Sequence, residues 1–276
     1  MREGDTMNSA TPGELLEIAV EVAREAAATA HRMREEGVAV AATKSTATDV
    51  VTAADRAVER QVVAHLRRLR PHDAVLGEEY GTDPAATAGS DVRWIVDPID
   101  GTVNYLYRLP YHAVSLAAEV AGEVVAGVVR GIATGDEWTA TRGGGAFRDG
   151  RRLGCSTETD LGQALVATGF GYDAGRRAHQ ARVLAGLITE VRDIRRLGAA
   201  SVDLCLAAEG RVDAYYEKGL NAWDLAAGGL VATEAGLRVT GLEGRPAGPD
   251  LVLAAPPALF DALHDRLADL DAAGGP

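Results

Sequence analysis

Forty acidic against 28 basic side chains give this 276-residue chain a formal net charge of −12, the wrong sign for electrostatic capture of nucleic acid or an anionic membrane surface. Its two cysteines, Cys155 and Cys205, are too few and too scattered for a disulfide framework or a structural zinc site, so both read as small core residues in a reducing compartment. No apolar stretch approaches the ~20 residues that span a bilayer, and the acidic start Met1-Arg2-Glu3-Gly4-Asp5 lacks the apolar centre of a signal peptide; a cytoplasmic location is expected.

Residues 1–10 are polar and expected to be flexible. Thr11-Pro12-Gly13-Glu14 then forms a capping box with proline at the first helical position, opening an Ala- and Glu-rich helix that Gly37 stops after about Glu36. A second cap, Thr52-Ala53-Ala54-Asp55, predicts a helix to about Arg70, with Val58, Val62, Val63 and Leu66 as its apolar face. The period then changes to that of strands: Ala74 to Leu76, Arg93 to Val96, His112 to Val120, Glu123 to Val129 and Glu137 to Thr141, with Ala121-Gly122 and Asp149-Gly150 as hairpin turns. Helices followed by hairpin-linked strands predict an α+β layer built on an antiparallel sheet. From about Ser156 the pattern alternates. Strands near Ala164 to Thr168, Ile194, Val212 to Tyr216 and Leu251 to Ala254 are separated by helices over Arg176 to Val191, Ala199 to Glu209 and Trp223 to Ala235, and a last helix covers Pro257 to Leu270. The expected organisation is two packed subdomains: an α+β half over 11–155 and an α/β half over 156–276.

Trp94-Ile95-Val96-Asp97-Pro98-Ile99-Asp100-Gly101-Thr102 is the segment richest in chemistry. It ends an apolar run with two carboxylates in one tight turn, which repel unless a cation lies between them. Oxygen ligands alone indicate a hard ion, Mg²⁺ or Mn²⁺, and the helix start that follows has free backbone N–H groups to attract an anion. Glu78 and Glu79 end another predicted strand, while Asp55 and Asp224 sit in first helical turns, where the helix dipole favours the ionised form. Singly, Glu78 and Glu79 would be solvated turn acids, and Asp55 and Asp224 ordinary cap residues.

Taken together, these positions resemble the inositol monophosphatase family of metal-dependent, lithium-sensitive phosphatases. The matching segments are Lys44-Ser45 with Asp49-Val50-Val51-Thr52-Ala53-Ala54-Asp55, then Gly77-Glu78-Glu79, then Trp94 to Asn104, and finally Trp223-Asp224-Leu225-Ala226-Ala227-Gly228 with Glu234-Ala235-Gly236. The resemblance runs from about residue 12 to 270 and implies the family's layered αβαβα sandwich. It also implies that Glu78, Asp97 and the Ile99 carbonyl hold one Mg²⁺, and that Asp97, Asp100 and Asp224 hold a second. Glu78 would assist at a weaker third site. The backbone amides of Gly101 and Thr102 would cradle phosphate, and Asp55 with Thr102 would orient the attacking water. Lys44 corresponds to a mobile-loop lysine near that phosphate, and Glu217 with Gly198, Ala199 and Ala200 would meet the alcohol half of the substrate.

The expected activity is hydrolysis of a small phosphate monoester, first inositol 1-phosphate, then histidinol phosphate, with fructose 1,6-bisphosphate and 3′-phosphoadenosine 5′-phosphate behind. A catalytically silent binding protein on the same fold is the rival from another class, and the resemblance also implies a homodimer. Tyr105, Leu237 and Asn221 depart from the commonest family pattern; Asn221 and the segment Gly169 to Arg177 are where substrate identity would be decided. Two other signals fail. Gly169-Phe170-Gly171-Tyr172-Asp173-Ala174 nearly matches a dinucleotide fingerprint, but Asp173 would oppose a pyrophosphate, and Lys44-Ser45 lacks the preceding glycine of a P-loop. Trp94 and Trp223 read as packing supports beside their aspartates.

Overall fold

The computed structural model describes residues 10–37, 40–43, 50–82 and 90–276. In chain order these form α1 (Pro12–Glu36), β1 (Val40–Thr43), β2 (Val50–Thr52), α2 (Ala53–Leu69), β3 (Ala74–Gly77), β4 (Gly81–Thr82), β5 (Val92–Asp100), α3 (Thr102–Tyr107), β6 (Ala113–Val120), β7 (Glu123–Gly131), β8 (Glu137–Thr141), β9 (Gly145–Arg148) and β10 (Arg151–Arg152). There follow β11 (Leu165–Thr168), α4 (Ala174–Leu187), β12 (Asp193–Arg195), α5 (Ala200–Ala208), β13 (Ala214–Glu217), α6 (Ala222–Glu234), β14 (Arg238–Thr240), β15 (Val252–Ala255) and α7 (Pro257–Asp269).

Five layers result. Both predicted capping boxes, Thr11 with Glu14 and Thr52 with Asp55, are formed and start α1 and α2 where expected. The buried stripe of α1, Leu15, Ala19, Val22, Ala23, Ala26 and Ala30, follows helical spacing, and its alanines let the helix lie close on β6 and β7. Leu15 is wholly buried, so truncating it to alanine would cost about 2–5 kcal/mol. Beneath α1 and α2 lies an eight-stranded sheet, ordered β10-β9-β8-β7-β6-β5-β3-β4. Helices α5 and α6 form the central layer. They pack on each other, on the large sheet and on the second sheet, α5 on β11, β13 and β15 and α6 on β14, in a core that includes Ala227, Val231, Leu204 and Tyr215. That second sheet has five strands, ordered β12-β11-β13-β15-β14, and α4 and α7 cover its far face around Leu187, Phe260 and Leu263.

The antiparallel expectation for the first sheet needs one correction, because β3 and β5 run parallel, with Gly77 opposite Val96. This pairing puts the residues after both strands at the same sheet end, so Glu78 emerges beside Asp97. The short strands β1, β2, β4 and β14 had no predicted counterpart, since two to four residues are too few to show a period of two, and of the β9–β10 hairpin only the Asp149-Gly150 turn was predicted. Helix α4 also starts earlier and ends earlier than the apolar pattern predicts: Asp173 caps it, accepting a hydrogen bond from the Arg176 N–H.

Candidate active site

Strand β5 delivers the two central carboxylates. Its ladder with β6 is regular to Asp97 and resumes at Asp100, with an irregularity between that lets both side chains leave the sheet at one end. Proline at 98 has no N–H to pair, and the Ile99 N–H turns back to Asp97 Oδ1 at 3.0 Å. Gly101 then takes a left-handed conformation, φ +84°; a Cβ there would stand 2.9 Å from the Tyr111 carbonyl oxygen and 3.0 Å from the Ala199 Cβ. Only glycine makes this turn into α3.

Asp97, Asp100 and Asp224 each offer a carboxylate oxygen within 4.8 Å of the others. Asp97 and Asp100 are buried, while Asp224, in the first turn of α6, is half-buried. The backbone N–H of Asn221 donates to Asp224 Oδ2 at 2.7 Å, which fixes that carboxylate as one arm of a capping box. Asp100 is held from across the molecule. The Ser201 N–H and hydroxyl, at the start of α5, both donate to its Oδ2, the former at 2.7 Å, and the Ala200 N–H also points to it.

The electrostatics of this cluster are those of a cation cradle. Burial pushes the Asp97 carboxyl well above the ordinary carboxylate range, and the charges of Glu78, Asp100 and Asp224 push it further, with Glu78 also in hydrogen-bond contact. Burial lifts Asp100 to about 6, even though hydrogen bonds from Ser201 favour its charged form. Asp224 is raised by burial and then by Asp100. Like charges so close cannot all ionise in a dry site, whereas a divalent cation among them reverses the balance. A donor set made only of oxygen fits Mg²⁺, Ca²⁺ or Mn²⁺ better than zinc.

Beside the cluster, the wholly buried Asp55 accepts from the Thr52 N–H at 2.8 Å, from the Thr52 hydroxyl and, at 3.1 Å, from the Thr102 hydroxyl. Thr102 Oγ1 also lies 3.2 Å from the Ile99 carbonyl oxygen. Burial, and then the charge of Glu78, raises the Asp55 carboxyl. Glu59 of α2 accepts from the Glu79 and Tyr80 N–H groups at 2.8 and 3.0 Å and so pins the turn that carries Glu78. Gly77 is required here, since a Cβ would stand only 2.0 Å from the Glu59 carboxylate.

Glu78, Asp97, Asp100, Thr102 and Asp224 line the floor of a cavity of about 520 Å³, with Asp55 buried behind Thr102. The cavity wall also holds Glu217, at the end of β13, where the Tyr215 hydroxyl donates to it at 2.6 Å and burial raises its carboxyl to about 7. Gly169 makes room for this side chain; a Cβ there would be 1.9 Å from Glu217 Oε2. Gly198 and Ala200 also line the cavity, and Ala199 is buried beneath Gly101. Lys44, with Ser45 and Asp49, lies outside the described residues. Trp94 is a packing support, wholly buried with its indole N–H on Asp73 at 2.9 Å. Trp223, half-buried, packs against the central core as expected and also lines the cavity beside Asp224, because the capping turn of α6 leaves it at the cavity edge.

Sequence reasoning did not reach Ser201, Glu59, Tyr215 or the cavity cations Arg196 and Lys218, and it reached Arg176 only as part of the segment Gly169 to Arg177. Ser201 left one signal, its place in a predicted first helical turn, where a free N–H and a hydroxyl await an anion. A second acidic group, Glu21, Glu25 and His65, lies apart between α1 and α2. Both ring nitrogens of His65 face a carboxylate there, at 2.9 and 3.0 Å, so it reads as a staple between helices.

Comparisons with known proteins agree with this geometry. The model of the inositol monophosphatase family matches residues 12–270. The inositol-1-monophosphatase SuhB of Mycobacterium tuberculosis is 43% identical over 268 residues, covering 91% of this chain and 92% of that protein. The Nus factor SuhB of Pseudomonas aeruginosa is 39% identical over 233 residues, covering 83% and 86%. The solved structure of Mycobacterium tuberculosis SuhB superposes with a TM-score of 0.81 at 39% identity, covering 96% of this chain and all of that one. The chain therefore belongs to the inositol monophosphatase family, whose members are phosphoric monoester hydrolases.

Proposed function

We propose that this protein is a Mg²⁺-dependent phosphomonoesterase of small polyol or sugar phosphates, with inositol 1-phosphate as its first substrate. The observation that carries this reading is the meeting of Asp97, Asp100 and Asp224 within 4.8 Å on a cavity floor, with the Asp55–Thr102 pair alongside. Glu78, Asp97 and the Ile99 carbonyl would hold one ion, and Asp97, Asp100 and Asp224 a second. Bound there, such ions neutralise phosphoryl charge and lower the pKa of water. The protein's own part is to position and to move a proton. With its proton directed to Asp55 Oδ1, the Thr102 hydroxyl oxygen accepts from the attacking water and relays the proton to Asp55. The Gly101 and Thr102 amides would bind phosphoryl oxygens, and Glu217 would accept hydrogen bonds from substrate hydroxyls. Lithium sensitivity, a homodimer and a cytoplasmic location belong to the same reading.

Phosphate release from inositol 1-phosphate, histidinol phosphate, fructose 1,6-bisphosphate and 3′-phosphoadenosine 5′-phosphate, with Mg²⁺ and again with EDTA, tests it. Metal-dependent turnover is expected. Failure on all four with Mg²⁺ binding intact would favour the silent binding protein.

A further inference from the structure

After α7 the chain turns back along α4 toward the cavity. Asp271 makes the turn in the left-handed region, at φ +55°, and the Asp271 and Ala272 N–H groups donate to the Ala268 and Leu267 carbonyls at 2.9 Å, the pair of bonds that closes a helix end of this kind. Ala272 is buried in the core shared by α4 and α7, which anchors the segment 271–276 at its root.

The segment is then clasped from α4. The buried His179 brings its Nε2 to 2.8 Å from the Asp271 carbonyl oxygen, while its Nδ1 lies 3.3 Å from a guanidinium nitrogen of Arg182. Arginine can only donate, so Nδ1 accepts and Nε2 carries the proton given to Asp271. Gly275, at φ +76°, lies against the same imidazole; a Cβ there would stand 2.6 Å from the His179 Cγ.

Two cations of the cavity wall hold the segment in turn. Lys218 Nζ donates to the Ala273 carbonyl at 2.7 Å, and Arg176 Nε to a main-chain oxygen of Pro276 at 3.2 Å. Gln180, beside His179, extends the clasp: its Oε1 accepts from the Gly171 N–H at 3.0 Å and its Nε2 donates to the Lys218 carbonyl at 3.3 Å. It thereby joins the two loops between which the Arg176 side chain runs, past Gly171 and Gly219. Long side chains ordered in this way lose little further rotamer freedom when a ligand arrives.

We propose that the segment 271–276, clasped by His179, is a positioning strap for the substrate wall: it fixes Arg176 and Lys218 in advance and so sets the affinity for the alcohol half of the substrate, with no part in the chemical step. The inference rests on the phosphatase reading only for what is bound there.

The strap is tested with Gly275→Val, which touches neither cation but puts a branched side chain at a strained φ against the imidazole. Amide hydrogen exchange is compared with wild type, together with initial rates in Mg²⁺ on whichever of the four phosphates the wild type hydrolyses fastest. Exchange over 169–176 and 216–221 should quicken at least about threefold, while that over 97–104 on the floor stays unchanged. KM should rise about fivefold with kcat within about twofold of wild type, and His179→Ala should do the same. His179→Gln, whose amide nitrogen can donate where Nε2 did, should recover most of the loss. An unchanged KM in Gly275→Val overturns the strap, as does wall exchange that quickens no more than the floor's. If the wild-type protein releases phosphate from none of the four compounds, the phosphatase reading falls and the exchange contrast alone decides the strap.

Discussion

The floor and the wall of the cavity are built by different rules. The floor takes its carboxylates from a strand end and from first helical turns, and three are fixed by a partner close in sequence, Ile99 for Asp97, Thr52 for Asp55 and Asn221 for Asp224, while Asp100 alone among these is held from afar, by Ser201. The wall takes long cations and one glutamate from a helix start, loops and a strand end, fitted past glycines at 169, 171, 198 and 219. Chemistry is thus carried by short-range geometry that tolerates little change, and selectivity by side chains that reach across open space. Substitutions on the floor should abolish turnover, whereas substitutions on the wall should redirect it.

The largest effect is expected from Asp97→Asn. Phosphate release should fall by at least about a hundredfold, because the substitution removes charge from the residue assigned to both ions. Since Asp97 is buried among like charges, the same variant should melt at a higher temperature than wild type in EDTA and gain less from Mg²⁺. Near-normal activity would break the distinction between floor and wall.

The pH dependence of stability follows in size. Asp100 titrates near 6 when folded and near its ordinary value of 3.8 when unfolded, so the folded state binds more protons between those values. Its contribution is fully present below about pH 4 and is lost as pH rises through about 6, on the order of a few kcal/mol. Melting temperatures in EDTA should carry this downward contribution, and Asp100→Asn or saturating Mg²⁺ should remove it. Identical profiles with and without Mg²⁺ would show that no ion binds among these carboxylates.

Ser201→Ala keeps the N–H bond to Asp100 but loses the hydroxyl, and should lower kcat about tenfold with little change in fold, as measured by circular dichroism. Smallest is Glu217→Gln on the wall. Steady-state kinetics should show a several-fold change in KM for inositol 1-phosphate and little change in kcat. A kcat loss as large as that of Asp97→Asn would put Glu217 on the floor.

Legibility in the sequence divides along the same line. The capping boxes at Thr11 and Thr52 and the turn after Val96 could be read directly, because the interactions that make them span four residues or fewer. Ser201 was missed because its partner, Asp100, lies 101 residues away, and no local pattern marks a hydroxyl as the ligand of a distant acid. Arg176 and Arg196 look like ordinary solvated residues of a helix start and a loop until the glycines at 171, 219 and 198 bring them to the cavity. The parallel pairing of β3 with β5 escaped for a related reason, since strand direction is decided by packing and not by composition.

The bond from Ser201 to Asp100 also bears on how the molecule assembles. It joins the first turn of α5, in the central layer, to the last residue of β5, in the large sheet, and the two residues come from opposite halves of the chain. During refolding, the large sheet and its outer helices can form from contacts within the first half, but Asp100 gains this partner only when α5 docks. Recovery of phosphatase activity should therefore lag recovery of β-sheet circular dichroism, making turnover a clock for the last docking step.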